Sequence, residues 1–180
     1  MTNIGIIGAG MIANLHAESA SAVGSTVIAV FDPREKAAAS FGEKHACAVQ
    51  KSVQEMLEDD NIQGIVIAVP NDMHADLAIA ALNAGKDVLL EKPMGTTEKE
   101  CRELAVAAEQ SNKIFGICYV LRYTAHYQKM KEIIDSGLIG EVVTIEHLEA
   151  VNYAHMAHSY VRGSWARSET SSPMILAKSC

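Results

Sequence analysis

Short apolar runs alternate with segments of helical periodicity along the first three quarters of the chain. The apolar runs are unbroken and rich in Val, Ile and Leu, which is typical of strands that helices cover on both faces. They predict six strands, over residues 3–8, 26–32, 46–49, 64–69, 86–90 and 113–119. The segments between and after them predict six helices, over residues 11–23, 33–44, 52–59, 73–84, 97–111 and 124–136. Strands that alternate with helices predict βαβ units, and therefore a doubly wound parallel sheet of the α/β class.

Local signals mark the starts of three of these helices. Pro33 suits the first turn of the second helix, because its fixed φ is already helical. Two other helices begin with the spacing of a capping box, in which Ser52 is followed by Glu55 and Thr97 by Glu100. These signals predict helix starts near residues 33, 52 and 97.

The pattern changes after Gly140. Residues 141–151 predict one long strand with apolar side chains on both faces, such as Val143 and Leu148. Residues 152–180 are polar and aromatic and give no clear element. This part of the chain reads as the beginning of a further structural unit.

Composition and charge narrow the class of protein. Hydrophobic residues make up 49% of the 180 residues and charged residues 21%, which is ordinary for a globular protein and excludes a disordered or collagen-like chain. The net charge of −7 argues against a general nucleic-acid binder, which needs a basic surface. No apolar run approaches the roughly 18 residues of a membrane span.

Cysteine usage and the amino terminus favour a cytoplasmic protein. The four cysteines show no CxxC spacing and no cluster with histidine, so we expect reduced thiols: Cys47, Cys101, Cys118 and Cys180. The amino terminus is apolar but has no basic segment before it, which argues against a signal peptide.

A glycine-rich turn follows the first predicted strand. Residues Gly8 to Ala13 read G-x-G-x-x-A and open a helix. In this context Gly8 permits a tight turn, Gly10 lets a pyrophosphate approach the backbone, and Ala13 allows close packing of helix on strand. The N–H groups at the helix start, with Met11 and Ile12, favour phosphate charge. The turn predicts a Rossmann-type dinucleotide site; the alternative is a tight βα turn that binds nothing.

A carboxylate ends the second predicted strand. Asp32 lies 24 positions after Gly8, close to the spacing at which an acidic residue accepts hydrogen bonds from the adenosine ribose. The alternative is that Asp32 only caps the helix that follows, and the two roles are compatible. A carboxylate here repels a 2′-phosphate and favours NAD, although Arg34 nearby could accommodate NADP.

Pro70 and Asn71 follow the fourth predicted strand, and His74 falls in the first turn of the next helix. Pro70 fixes the exit of the strand and leaves the Asn71 amide above the sheet edge, where it could bind a cofactor. The alternatives are a turn with an N-cap by Asn71 or Asp72, and for His74 an oriented histidine at a helix start.

Glu91, Lys92 and Pro93 follow the fifth predicted strand. Pro93 favours an extended Lys92, and Glu91 supplies a carboxylate that could orient it. The alternative is a solvated loop lysine. Gly8, Asp32, Asn71 and Lys92 each follow a different strand, so a parallel sheet would bring all four to its ligand-binding edge.

The sixth strand ends at the same edge with Cys118, predicted to pack, and with Tyr119 and Arg122, either of which could face a substrate. His16 and His126 are predicted on ordinary helix surfaces. His155 and His158 have no further ligand-type residues around them in the sequence, so no metal site is expected.

These pieces together resemble the glucose–fructose oxidoreductase / inositol dehydrogenase (Gfo/Idh/MocA) family. The resemblance covers essentially the whole chain, and the Pro-Asn…His and Glu-Lys-Pro pieces are more specific than the glycines. The matching segments are residues 8–13, Asp32, residues 69–74, 80–86, 91–93 and 136–141.

The resemblance implies an NAD(P)-dependent oxidoreductase that acts on CH–OH groups of sugars, polyols or cyclitols. It implies that Lys92 is the catalytic lysine beside the nicotinamide and the substrate hydroxyl, with Pro70, Asn71, His74 and Glu91 around the cofactor. It also implies a Rossmann domain over residues 1–120. Residues 121–180 would then be a linking helix and the start of an α+β substrate domain.

Members of this family are usually longer and supply a catalytic histidine from the second domain, and they often form homo-oligomers through it. That histidine has no match here, and we do not assign its role to His155 or His158. We therefore expect a truncated chain that binds cofactor without turnover. The alternative is a non-catalytic nucleotide-binding or sensor module. Lys92 and Asn71 discriminate between the two, because a sensor needs the phosphate and ribose residues only.

Overall fold

A six-stranded parallel sheet lies at the centre of the protein. The computed structural model describes residues 1–148 and, beyond them, residues 152, 153, 157, 161 and 163. Within that part of the chain the strands are β1 Asn3–Ile7, β2 Thr26–Phe31, β3 Ala48–Val49, β4 Gly64–Ile67, β5 Asp87–Leu90 and β6 Phe115–Ile117. Their order is β3-β2-β1-β4-β5-β6, and every neighbouring pair is parallel. The predicted doubly wound sheet is confirmed.

Among the described residues, six helices connect and follow the strands. They are α1 Met11–Ala22, α2 Glu35–His45, α3 Val53–Glu58, α4 His74–Asn83, α5 Glu98–Ser111 and α6 Ala125–Asp135. A 3₁₀ turn, Asn71–Met73, precedes α4, and another, Val120–Tyr123, follows β6. Thr97 and Glu100 form the predicted capping box in full, with both reciprocal hydrogen bonds. Ser52 accepts from the N–H of Glu55, but the Glu55 carboxylate accepts from Lys51 instead.

Helices α1 to α5 form one layer on each face of the sheet. Because successive side chains of a strand point to opposite faces, Ile6 packs with α1 and α2 on one side, against Ala13, Ala17 and Phe41. Ile7 packs on the other side, in the layer that holds α3, α4 and α5. This second layer buries the larger set of apolar residues, including Met56, Ile62, Leu82 and Leu104.

One predicted element is wrong, and another begins two residues later than predicted. Residues 141–148 form no strand, and Val143 is 90% exposed and Leu148 86%. A strand needs a neighbour for its N–H and C=O groups, and no described strand pairs with this segment; residues 149–151 lie outside the described part. Pro33 does not enter a helix: α2 begins at Glu35, because the Asp32 carboxylate accepts from the Arg34 N–H and forms an Asx turn first.

No described helix has the length and apolar character needed to cross a bilayer. Of the four cysteines, Cys47, Cys101 and Cys118 are free thiols, as predicted, and Cys180 lies outside the described residues.

Lys86 is a buried cation at the amino end of β5, only 6% exposed. Its ammonium donates to the backbone carbonyls of Asp59, at 2.8 Å, and Ile62, at 2.9 Å. We expect Lys86→Met to lower the free energy of unfolding by about 2–4 kcal/mol, because two carbonyls lose a charged donor. Urea unfolding followed by circular dichroism measures this, with exposed Lys36→Met as the control. A loss below about 0.5 kcal/mol, the usual size for a surface change, would contradict it.

Candidate functional site

The carboxyl ends of all six strands lie along one edge of the sheet, since every pair is parallel. Gly8 follows β1, Asp32 follows β2, Asn71 lies past β4 and Lys92 past β5. The strand order reverses between β2, β1 and β4, so the connections after β1 and β4 leave toward opposite faces. A crevice at such a switch point is where ligands bind in open α/β sheets.

The two glycines of the turn have different physical roles. Gly8 has a φ of +102°, and a Cβ built on it would lie 2.2 Å from the carbonyl oxygen of Ala68. Only glycine fits there, because the turn packs directly against the chain leaving β4. Gly10 has an ordinary φ of −84°, and its Cβ would meet nothing within 4 Å. The space over Gly10 is therefore open on the side where a pyrophosphate would approach.

The start of α1 offers backbone donors to that space. Gly10 is the N-cap and has no side chain with which to cover the first-turn N–H groups. Ala13 is fully buried on the inner face of α1, whereas Met11 is 69% exposed and Ile12 42%. This end of the helix carries partial positive charge, so the turn fits a phosphate group.

Asp32 lies beside the turn with both carboxylate oxygens engaged. Oδ2 accepts from the Ala9 N–H and from the Arg34 guanidinium, each at 2.8 Å. Oδ1 accepts from the Arg34 N–H and from Nε of Arg34, each at 2.9 Å. These bonds with Arg34 lower the pKa of Asp32 to about 2, although burial opposes the shift. The carboxylate is therefore ionised throughout the neutral range.

The alternative role for Asp32, the N-cap of the next helix, is wrong. The N-cap of α2 is Arg34, and no side chain caps it. Asp32 instead joins the glycine turn to the end of β2 through Ala9. Four donors fill about the four lone-pair sites of a carboxylate. A ribose hydroxyl would thus have to displace the Arg34 side chain, which is 68% exposed and free to swing outward.

The segment after β4 places Asn71 and His74 differently. Asn71, 3% exposed, begins the 3₁₀ turn, and the N-cap of α4 is Met73, not Asn71 or Asp72. His74 is 1% exposed, with Nδ1 2.6 Å from the carbonyl of Pro93 and Nε2 3.1 Å from that of Val69. Both ring nitrogens thus face backbone carbonyl oxygens, and a neutral imidazole, with one N–H, donates to only one of them. His74 is an oriented histidine at the start of α4, and its contact with a cofactor stays a prediction.

The segment after β5 holds Lys92. The N–H of Glu91 extends the sheet ladder by donating to Ile67 at 3.0 Å. The Glu91 carboxylate accepts from the Lys92 N–H through Oε2 at 3.2 Å, and its Oε1 lies 2.9 Å from Nε2 of His16. Lys92 is half-buried and the Lys92–Pro93 peptide is cis. The hydrogen bonds of Glu91 with Ile67, His16 and the Lys92 N–H therefore hold the backbone of this segment at the sheet edge.

His16 is a site residue that sequence reasoning missed. It was predicted on a helix surface, yet its side chain is only 15% exposed. The available signal was its place three residues after Ala13 and next to Ala17, both on the buried face of α1. Its partner Glu91 lies 75 positions away in the sequence, so only the fold brings the two together.

Cys118 completes a small cluster with His16 and Glu91. Ligand-type atoms of these three residues lie within 4.8 Å of one another. Burial, with a smaller effect of Glu91, raises the pKa of the Cys118 thiol to about 12. The cluster is thus a hydrogen-bonded histidine–carboxylate pair beside a protonated thiol.

Tyr119 and Arg122 follow β6, the last strand of the sheet. Arg122 places its guanidinium 5.4 Å from the ring centroid of Tyr119. His126 is exposed on α6, as predicted. His147 bonds the hydroxyl of Tyr127 at 3.0 Å, and His155 and His158 lie outside the described residues.

Comparison with known proteins matches residues 2–119 to the family described as "Oxidoreductase family, NAD-binding Rossmann fold" (GFO_IDH_MocA). An inositol 2-dehydrogenase of Salmonella paratyphi B is 34% identical over 147 residues, covering 78% of this chain and 44% of the relative. The chain thus spans less than half the length of such relatives.

Solved structures agree with the fold. Myo-inositol 2-dehydrogenase from Lactobacillus plantarum superposes with a TM-score of 0.73 at 27% identity, covering 79% of this chain and 43% of that one. A levoglucosan dehydrogenase, solved with NADH and levoglucosan, gives a TM-score of 0.73 at 25% identity, covering 78% and 40%. The edge residues, the strand order and these matches lead to one conclusion: the chain belongs to the Gfo/Idh/MocA oxidoreductase family, with an NAD-binding Rossmann fold.

Proposed function

We propose that this chain is the NAD(H)-binding part of an oxidoreductase that acts on a CH–OH carbon of a sugar, polyol or cyclitol. The observation that carries the proposal is the open space over Gly10, at the start of α1 and beside an ionised Asp32. Gly8, Met11 and Ile12 would form the rest of the pyrophosphate turn. The names of the relatives, inositol 2-dehydrogenase and levoglucosan dehydrogenase, support this substrate class.

The proposed cofactor preference is NAD over NADP. Asp32 would accept the ribose hydroxyls once Arg34 has moved, and its charge repels a 2′-phosphate. Arg34 is the group that would tolerate NADP, since its guanidinium would then be available to a phosphate. Pro70 and Asn71 would lie near the nicotinamide half of the cofactor.

Lys92 is the proposed catalytic residue. The bound nicotinamide supplies the hydride acceptor or donor. The Lys92 ammonium would donate a hydrogen bond to the reacting oxygen of the substrate and hold it in place. A non-catalytic nucleotide module explains Gly8 and Asp32 but gives no reason to hold a lysine at this edge, which favours the enzyme.

Several finer points are part of the same proposal. We propose that residues 1–120 suffice to bind cofactor and that residues 121–180 lead into the substrate domain of the longer relatives. Without the rest of that domain, turnover by these 180 residues is not expected. A cytoplasmic location and homo-oligomers formed through the substrate domain complete the proposal, the first supported by the free thiols.

Asp32→Asn is expected to weaken NADH binding by about 10–100-fold, because a hydrogen bond to a charged group contributes about 1.5–3 kcal/mol. NADPH binding should weaken less, since the variant also loses the repulsion of the 2′-phosphate. Calorimetric titration of both nucleotides measures the two affinities. Because the pKa of Asp32 is about 2, its ionisation should not make NADH affinity vary near neutral pH.

Arg34→Gln is the matched variant. It removes the guanidinium that competes for the carboxylate, so NADH affinity should stay equal or rise while NADPH affinity falls. Two results with Asp32→Asn would contradict the ribose role of Asp32. One is an equal loss of affinity for NADH and NADPH, and the other is an unchanged affinity for NADH.

A further inference from the structure

Two histidines, one partly buried and one fully buried, contact the segment that carries Lys92. The first is His16, on α1. Its Nε2 lies 2.9 Å from Oε1 of Glu91, and the two side chains are only 15% and 17% exposed. The other oxygen of the same carboxylate, Oε2, accepts the N–H of Lys92 at 3.2 Å. Glu91 therefore bridges α1 to the backbone of Lys92 itself.

The second is His74, the first residue of α4. Its Nδ1 lies 2.6 Å from the carbonyl oxygen of Pro93, the residue after Lys92, and Nε2 lies 3.1 Å from that of Val69. The ring is 1% exposed, so it is fixed among its neighbours. His74 thus joins the segment after β5 to the segment after β4.

The two helices lie on opposite faces of the sheet. Ala13 and Ala17 of α1 pack with Ile6 on one face, whereas Ala75 and Ala78 of α4 pack with the core of the other. We propose that His16 and His74 are positioning residues that hold residues 91–93 between the two helical layers and so fix the place of Lys92. This inference rests on the proposed function of Lys92.

The sheet alone cannot do this. The last ladder pairs of β5 are Leu90 with Ile67 and with Ile117, and the N–H of Glu91 adds one further bond to Ile67. A lysine side chain has four rotatable bonds and considerable entropy to lose, so its ammonium is placed only if its backbone is held. His16 also lies on the helix whose first turn is proposed to hold the pyrophosphate. The contacts of His16 and His74 with residues 91–93 would therefore connect the proposed phosphate turn to the proposed catalytic lysine.

The test is amide hydrogen exchange in the 180-residue chain without cofactor. His16→Phe keeps a ring of similar size but removes the nitrogen that meets Glu91. We expect the exchange rate of the Lys92 N–H, divided by that of the Glu91 N–H, to rise at least about fivefold, the order of one lost hydrogen bond. The Glu91 N–H bonds Ile67 within the sheet, so general destabilisation would speed both amides and leave the ratio unchanged.

His16→Gln is the conservative rescue, because its amide nitrogen can reach the position of Nε2. It should restore the ratio to near its wild-type value. Exposed His126→Phe is the matched control and should leave the ratio unchanged. An unchanged ratio in His16→Phe, or a ratio in His16→Gln as high as in His16→Phe, would overturn the role of His16.

For His74, substitution by asparagine or by glutamine tests the contacts with Pro93 and Val69 separately. Asparagine can place its nitrogen near Nδ1 and keep the bond to Pro93, whereas glutamine can place its nitrogen near Nε2 and keep the bond to Val69. The ratio should therefore stay closer to wild type in His74→Asn than in His74→Gln. Equal ratios in the two variants would overturn the role of His74.

A separate measurement tests the proposed place of Lys92 beside the nicotinamide independently of the roles of His16 and His74. Reductive methylation with ¹³C-formaldehyde labels the lysines, and Lys92→Arg assigns the Lys92 signal. A wild-type signal that does not respond to NADH would refute the place of Lys92 beside the nicotinamide. The exchange ratios would still show whether His16 and His74 hold the segment.

Discussion

Lys92→Met is expected to lower kcat by about 10²–10⁴-fold, the usual loss when one positioned proton-transfer or polarising group is removed. Methionine keeps the apolar stem and removes the ammonium, so folding should be preserved. Because the chain spans 44% of the Salmonella inositol 2-dehydrogenase, the measurement needs a chimera. In it, residues 1–119 replace the matching part of that enzyme, and NADH formation from inositol is followed.

Lys99→Met is the control, since this lysine on α5 has a side chain that is 83% exposed. The 180-residue chain, assayed alone, should give no turnover. NADH affinity should be nearly the same in the Lys92→Met and unchanged chimeras, which would show that the ammonium acts on the reaction. If the Lys92→Met chimera keeps more than half of the kcat of the unchanged chimera, Lys92 is a solvated loop lysine and has no catalytic role.

Gly10→Val is expected to abolish NADH binding while leaving the fold intact. The backbone of Gly10 has a φ that valine adopts easily, and a Cβ there meets nothing within 4 Å. The isopropyl group would therefore occupy the space proposed for the pyrophosphate. Loss of two charge-assisted hydrogen bonds corresponds to a drop in affinity of more than about 100-fold. Calorimetric titration of NADH, with the melting temperature recorded in parallel, measures both effects.

Gly8→Ala is the matched variant, because it should lower the stability of the fold. Its methyl group would lie 2.2 Å from the Ala68 oxygen at a φ of +102°, and the φ alone costs about 1–2 kcal/mol. Gly8→Ala should therefore lower stability, and Gly10→Val should lower only binding. Full NADH affinity in Gly10→Val would refute the phosphate role of the turn.

The sheet could be predicted because local pattern and global fold agree. Unbroken apolar runs at the spacing of βαβ units leave few topologies, and the parallel sheet then places Gly8, Asp32, Asn71 and Lys92 at one edge. The predicted strand at 141–151 shows the limit of this reasoning. Its apolar residues suit a strand, but strand formation depends on a partner whose presence the pattern of one segment does not reveal.

Contacts between residues that lie far apart along the chain could not be predicted from the sequence. Nothing near His16 indicates Glu91, and nothing near His74 indicates the carbonyl of Pro93, since each pair forms only when strands and helices have packed. The bidentate pairing of Arg34 with Asp32 was missed for another reason. The two residues are neighbours, but whether the guanidinium turns back onto the carboxylate depends on the turn that replaces the first turn of α2.

The tight packing of Gly8 against the carbonyl of Ala68 has a thermodynamic consequence. The turn is held from three sides: by that contact, by the bond from the Gly8 N–H to Phe31 at 2.7 Å, and by the bond from Ala9 to Asp32. Its shape is thus set when the chain folds, before any ligand arrives. A preorganised turn loses little conformational entropy on binding. The ordering of the backbone around the proposed phosphate would be completed in folding, so more of the contact energy would remain as affinity.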